Sequence, residues 1–116
     1  MRALLVLLVV AASAAGSFAG EIRKGATMEV KPNSIWFEEA ANLTRWQQLK
    51  KGGDPAALAA YQEELLSHRD AWQFINRLSV KILEYQPGKD QVLVEMKTAG
   101  RMLGTKWFLD PAVLMR

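Results

Sequence analysis

The chain of 116 residues has no cysteine and a single histidine, His68. The first absence excludes disulfides, a thiolate nucleophile, cysteine-ligated metal and a lipid attached through sulfur. The second leaves one imidazole to serve as a general base and leaves any zinc site short of donors, because zinc needs at least three protein ligands. Basic runs are missing too. Only Arg23-Lys24 and Lys50-Lys51 are adjacent pairs, which read as solvated faces, and with no arginine-plus-aromatic motif nucleic acid is not expected as a partner. There is no phosphate-cradling loop either, since Gly52-Gly53 precede Asp54 without the Lys-Ser/Thr that such a loop requires.

The residual polar clusters do not assemble a reaction centre. Ser67, His68 and Asp70 contain the residue types of a hydrolytic triad, but neighbours on a helix point about 100° apart and triads are built from distant segments. Glu64 and His68 stand four apart, on one helix face, and lack a third ligand. Glu38-Glu39 and Glu63-Glu64 are adjacent in sequence and splay across their helices. The expectation is therefore a protein without catalytic residues, metal or cofactor, with a small metal-dependent hydrolase as the weakest alternative.

One long apolar run exists, at the N-terminus. Arg2 precedes an unbroken stretch from Ala3 to Ala12, followed by small residues ending in Ser17-Phe18-Ala19. That order fits a secretory signal peptide cleaved after Ala19, and the run is too short for the roughly 20 apolar residues of a bilayer span. Residues 1–19 are thus expected to be removed, which leaves a periplasmic or secreted protein with no stable membrane anchor. Residues 20–116 have room for one core, not two. Without Arg2, 14 basic residues face 12 acidic ones, a net charge of about +2.

The pattern along this domain is mixed. Ala26 to Lys31 reads as a strand stopped by Pro32-Asn33-Ser34. Trp36, Ala40, Leu43 and Trp46 then recur at helical steps, placing a helix over about 36–51. Gly52-Gly53 close it, and Asp54-Pro55 supply a cap and a first-turn proline for a second helix. There Leu58, Tyr61, Leu65, His68 and Trp72 form one stripe. A short link between two amphipathic helices predicts an antiparallel helical hairpin over about 36–70.

From residue 78 the period changes to two, and a β-meander is expected over about 78–116. "LSVKILEY" and "QVLVEMK" flank the turn residues Pro87-Gly88-Lys89-Asp90, with Val92, Val94 and Met96 on one face. A third strand is expected over Gly104–Leu109, followed by a closing turn from Asp110-Pro111 that carries Val113 and Leu114.

The series "LSVKILEY", turn, "QVLVEMK", "AGRMLGT", "KWFLD" and "PAVL" resembles the Src-homology-3-like barrel of bacterial secreted proteins. The likeness covers roughly the last third of the chain. It departs from the family in the helical hairpin that separates the strand at 26–31 from the strand at 79. Two architectures follow, both α+β: a small Src-homology-3-like barrel with the hairpin inserted, or a three- to five-stranded antiparallel meander packed on two helices. The resemblance implies recognition of extended peptides through aromatics on the last long strand and its loops. The expected binding face is the end of the sheet carrying Tyr85, Arg101, Lys106 and Trp107 or Phe108. Strand alternation sends those two aromatics to opposite faces, so one fills the core and the other lies outward or under the hairpin. The partner would be a protein, a peptide or an anionic wall polymer at a Gram-negative-type periplasm or cell surface. The alternative is a structural or inhibitory protein that docks through its helical hairpin, using Leu66 and Trp46.

Overall fold

A computed structural model of the chain describes residues 21–116; the expected signal segment lies outside the described residues. The fold is α+β. The order is β1 (Thr27–Val30), β2 (Ser34–Phe37), α1 (Ala40–Lys51), α2 (Pro55–Ser67), β3 (Ala71–Phe74), β4 (Leu78–Gln86), β5 (Gln91–Met96), β6 (Lys106–Leu109) and β7 (Leu114–Met115). One antiparallel sheet holds all seven strands in the order β3-β2-β6-β5-β4-β1-β7.

That order forces the sheet to roll. β1 and β2 are four strand steps apart, about 19 Å across a flat sheet. Only residues 31–33 join Val30 to Ser34, a reach of about 14 Å at most. The roll brings the inner faces of distant strands together. Val30, Trp36, Val80, Val94, Trp107 and Leu114 meet in one cluster, each at most 3% exposed. No residue of α1 or α2 belongs to this cluster; strand side chains, Ile22, Met102 and Val113 fill it. The sheet nevertheless stays open, because β3 and β7 end the strand order and do not pair. It is not the closed barrel that the resemblance implies.

The outer face is covered over β2, β3 and β6. Ile35, Phe37 and Ala71 pack against Leu43 and Trp46 of α1 and Leu65 of α2, with Phe108 partly buried beside them. β2 is therefore buried at all four residues, its even positions facing the roll and its odd ones the helices.

Two expectations need correction here. The first helix begins at Ala40, not at Trp36, and Trp36-Phe37 belong to β2. A strand buried on both faces shows no alternation, so its apolar residues blended into the helical pattern that follows. Likewise Trp72 does not extend the stripe of α2. The helix stops at Ser67, Arg69 takes a left-handed φ of 61°, and Trp72 lies on β3 opposite Trp36. Because Phe37 pairs with Ala71, the helical hairpin is an insertion between two paired strands.

Other local expectations hold. Gly53 adopts φ 74° after α1, and Asp54 Oδ1 accepts from the Ala57 N–H at 3.1 Å to cap α2. Val92, Val94 and Met96 share the inner face, and Asp110-Pro111 start the closing turn that carries Val113; the pairing of β7 with β1 is an addition to those expectations. Buried glutamines fasten α1 to the sheet. Gln47 Nε2 donates to the Asp90 carbonyl at 2.7 Å and to Asp110 Oδ2 at 3.2 Å, and Gln91 Nε2 donates to Thr44 Oγ1 at 2.6 Å.

Candidate functional site

Both aromatics of the expected binding face lie in packed surroundings. Trp107 is 3% exposed and faces the roll, where its ring meets Phe74 and Trp36 edge-on at 5.7 and 6.1 Å. Its Nε1 donates to Thr105 Oγ1 at 2.7 Å. Phe108 points the other way, under the helical hairpin. Alternation thus sorts the pair between two cores, with Trp107 buried and Phe108 partly buried.

The remaining three residues separate. Tyr85 pairs with Val92, near the β4–β5 turn, and packs against the inner cluster. A register shift between Ile82 and Glu84 puts it there: the extra residue flips the phase of β4, so that Tyr85 and not Glu84 faces inward. Lys106 pairs with Glu95 nearer the other end of the strands and, one residue from Trp107, lies on the outer face. Arg101 is exposed on the connection from β5 to β6. The expected five-residue face is not a single surface.

A different cluster forms around Arg101. The mouth of the roll opens at the end of β3, the start of β4 and the β5–β6 connection. A cleft of about 160 Å³ lies there, lined by Phe74, Leu78, Met96, Met102 and Arg101. Its lining is mainly apolar, and Met96, 2% exposed, belongs to the inner cluster. A dry cavity of about 150 Å³ holds a benzene ring, so the cleft suits one large apolar side chain. Two large hydrophobic residues are exposed among the described residues, Ile75 at 72% and Leu103 at 54%. Ile75 follows Phe74 and Leu103 follows Met102, so each is the chain neighbour of a residue that lines the cleft.

The charges at this mouth differ in their engagement. Arg77 sits 3.7 Å from Glu29, and Lys97 3.6 Å from Glu95. Arg101 makes no ion pair or hydrogen bond among the described residues. It is a free guanidinium beside an apolar hollow, able to bind a carboxylate through two parallel N–H bonds.

Backbone conformation shapes the connection. Gly100 and Gly104 have φ of 144° and 85°, values that favour glycine. Leu103 N–H donates to the Gly100 carbonyl at 3.2 Å, and Thr105 Oγ1 to the Met102 carbonyl at 2.6 Å. The loop that carries Arg101 and Leu103 is thus held by its own bonds and anchored to β5, where the Gly104 N–H donates to the Met96 carbonyl at 2.9 Å, while Met102 packs on the inner cluster.

The polar clusters weighed for catalysis are spread along the surface. Ser67 Oγ donates to the Glu64 carbonyl at 3.1 Å, and His68 is the exposed residue that ends α2. No three His, Asp or Glu side chains converge as a metal site among the described residues. Burial, the largest influence, pushes the Tyr61 phenol above its ordinary value; Arg45 opposes this, while Glu64 and Asp70 add to it. Its hydroxyl lies 3.3 Å from Asn42 Oδ1, between the helices. In the hairpin, Trp46 is 8% exposed and donates to Gln62 Oε1 at 3.0 Å, and Leu66, partly buried, packs on the outer core.

Comparison with protein families, curated proteins and solved structures finds no match.

Proposed function

We propose that the protein is an exported, non-enzymatic binding module that grips another macromolecule at the mouth of its rolled sheet. The observation that carries this reading is one apolar cleft lined by Arg101, which has no side-chain partner among the described residues, with exposed Ile75 and Leu103 each next in sequence to a lining residue. Exposed large hydrophobics cost solubility when no partner covers them, and clustered ones mark interaction sites. The division of labour is physical: the cleft and the two flanking residues supply contact that excludes water, and Arg101 steers and orients an anionic group. Of the residues expected to bind, Arg101 keeps a direct role, while Tyr85 and Trp107 pack inside the roll and Phe108 packs under the hairpin.

Export rests on the signal-like residues 1–19, and its check is direct. N-terminal sequencing of the protein recovered outside the cytoplasm is expected to begin at Gly20; an intact Met1 on that material would remove the export claim.

For the surface, a photo-crosslinking residue is placed at Leu103 and, separately, at Lys51 on the far helix end. Adducts are expected from position 103, reduced by Arg101→Ala and unchanged by Lys106→Ala or Leu66→Asp. Equal adducts from both positions, or adducts indifferent to Arg101, would overturn the reading.

A further inference from the structure

We infer that the occupant of this mouth is an extended acidic peptide that adds as a strand to the free edge of β3 and places one apolar side chain in the cleft. The inference rests on the binding-module reading and deepens it. β3 pairs with β2 alone and ends the sheet. The carbonyls of Asp70 and Phe74 accept from Glu38 and Asn33, at 3.2 and 2.8 Å, on the β2 side. Alternation therefore turns the N–H and C=O groups of Ala71 and Gln73 away from β2; Ala71 is 2% exposed, so Gln73 carries the accessible pair.

The two edges of the sheet are not equally defended. β7 has two residues, follows a turn begun by Pro111, and ends beside Arg116. β3 reads Ala-Trp-Gln-Phe and runs on into Ile75 and Asn76 without a charge or a proline. Sheet edges are ordinarily blunted by charge, proline or bulges to prevent strand addition. An uncharged edge ending at an apolar cleft suits strand addition, in which main-chain bonds give affinity and alternate side chains give selectivity.

Phe74 connects the two features, since it is the last residue of β3 and also lines the cleft. A peptide residue paired across from Phe74 turns its side chain to the same face, which is the cleft side. Arg101, the unpaired cation at that cleft, then lies within reach of the peptide's flanking residues. Charge complementarity selects an acidic peptide over a neutral or basic one.

The probe is a short amidated synthetic peptide alternating glutamate with valine around one central phenylalanine, titrated into the purified protein and followed by NMR. Binding is expected to weaken at least about tenfold when lysine replaces the glutamates or when Arg101→Glu is used, as for a lost charge-assisted bond. N-methylation of the peptide amides along one edge is expected to abolish binding, and along the other edge to leave it intact. Gln73→Pro should also abolish it while leaving the tryptophan near-ultraviolet signal unchanged. Indifference to N-methylation on both edges would overturn strand addition. If the peptide does not bind while crosslinking from Leu103 persists, the peptide inference falls and the binding site survives; if both vanish, both fall. A peptide-free dimer that protects the Gln73 amide would make a second copy of this chain the occupant, and would overturn the inference as well.

Discussion

The inner face of the sheet covers itself, whereas the outer face depends on two helices laid over three of the seven strands. Inside, all seven strands contribute to one cluster, and Val30, Val80, Val92 and Leu109 are fully buried. Outside, the hairpin inserted between Phe37 and Ala71 touches β2, β3 and β6 and leaves the outer sides of β1 and β4 to solvent. The inner core cannot be loosened at one strand without opening the roll. The outer core can, because α1 and α2 are held by packing, by their own bonds, and by Gln47 and Gln91.

That difference predicts unequal costs for the same truncation. Leu109→Ala removes a fully buried side chain from the inner core, and Leu65→Ala removes one that is 5% exposed under the hairpin. Leucine truncations in cores cost about 2 to 5 kcal/mol, according to how far the site can collapse. Leu109→Ala belongs near the upper end, because strands fixed by two neighbours cannot settle into the void, and Leu65→Ala near the lower. Urea denaturation measures both; equal losses would erase the distinction between the faces.

Hydrogen exchange sharpens the comparison without any substitution. Amides of β4 and β5 are expected to exchange only through global unfolding, while those of α1 and α2 open in a separate unit of lower free energy. Helix amides as slow as those of Val92 and Val94 would show that the hairpin and the roll are one cooperative body.

The same contrast explains what was legible in the sequence. The β4–β5 hairpin could be read because its outer side is wet, which leaves a period of two in "QVLVEM". β2 could not, because Ile35 and Phe37 face the helices while Ser34 and Trp36 face the roll, and the period vanishes. Arg69 gave no warning that the chain reverses, since a left-handed turn at arginine has no composition signal. The proposed binding surface was half legible. Arg101 stood out as a cation between two glycines, but Ile75 and Leu103 looked like ordinary apolar residues, and only the roll brings their loops to one mouth. The bulge near Leu83 was likewise silent, and it moved Tyr85 from an expected ligand contact to the inner core.

A smaller effect tests the inner core at the level of single atoms. Trp107 Nε1 has an acceptor in Thr105, whereas Trp36 Nε1 is buried with no nitrogen or oxygen partner among the described residues. Trp36 instead packs edge-on to Phe74, with ring centroids 4.8 Å apart. Replacing either tryptophan by phenylalanine leaves a void, and the void costs stability in both cases. Trp107→Phe also loses the bond to Thr105 Oγ1, which keeps only its own bond to the Met102 carbonyl, while Trp36→Phe removes an unsatisfied donor whose desolvation already costs about 1 to 3 kcal/mol. Trp36→Phe is therefore expected to be the milder change by about 1 kcal/mol or more, with thermal denaturation as the measurement; the reverse order would mean that the aromatic faces around Trp36 satisfy its N–H as well as Thr105 satisfies that of Trp107.

The smallest expected effect lies on the outer side. Asp54→Ala removes the one side-chain cap at the start of α2, a loss of about 1 kcal/mol in typical cases. If the hairpin opens as its own unit, this loss should lower the opening free energy of the helix amides and leave the exchange of the β5 amides set by the roll. The cap would then act on one face of the molecule alone. Equal acceleration of exchange in β5 would show instead that the roll needs its helical cover to stay folded, so that the insertion between β2 and β3 carries part of the inner core's stability.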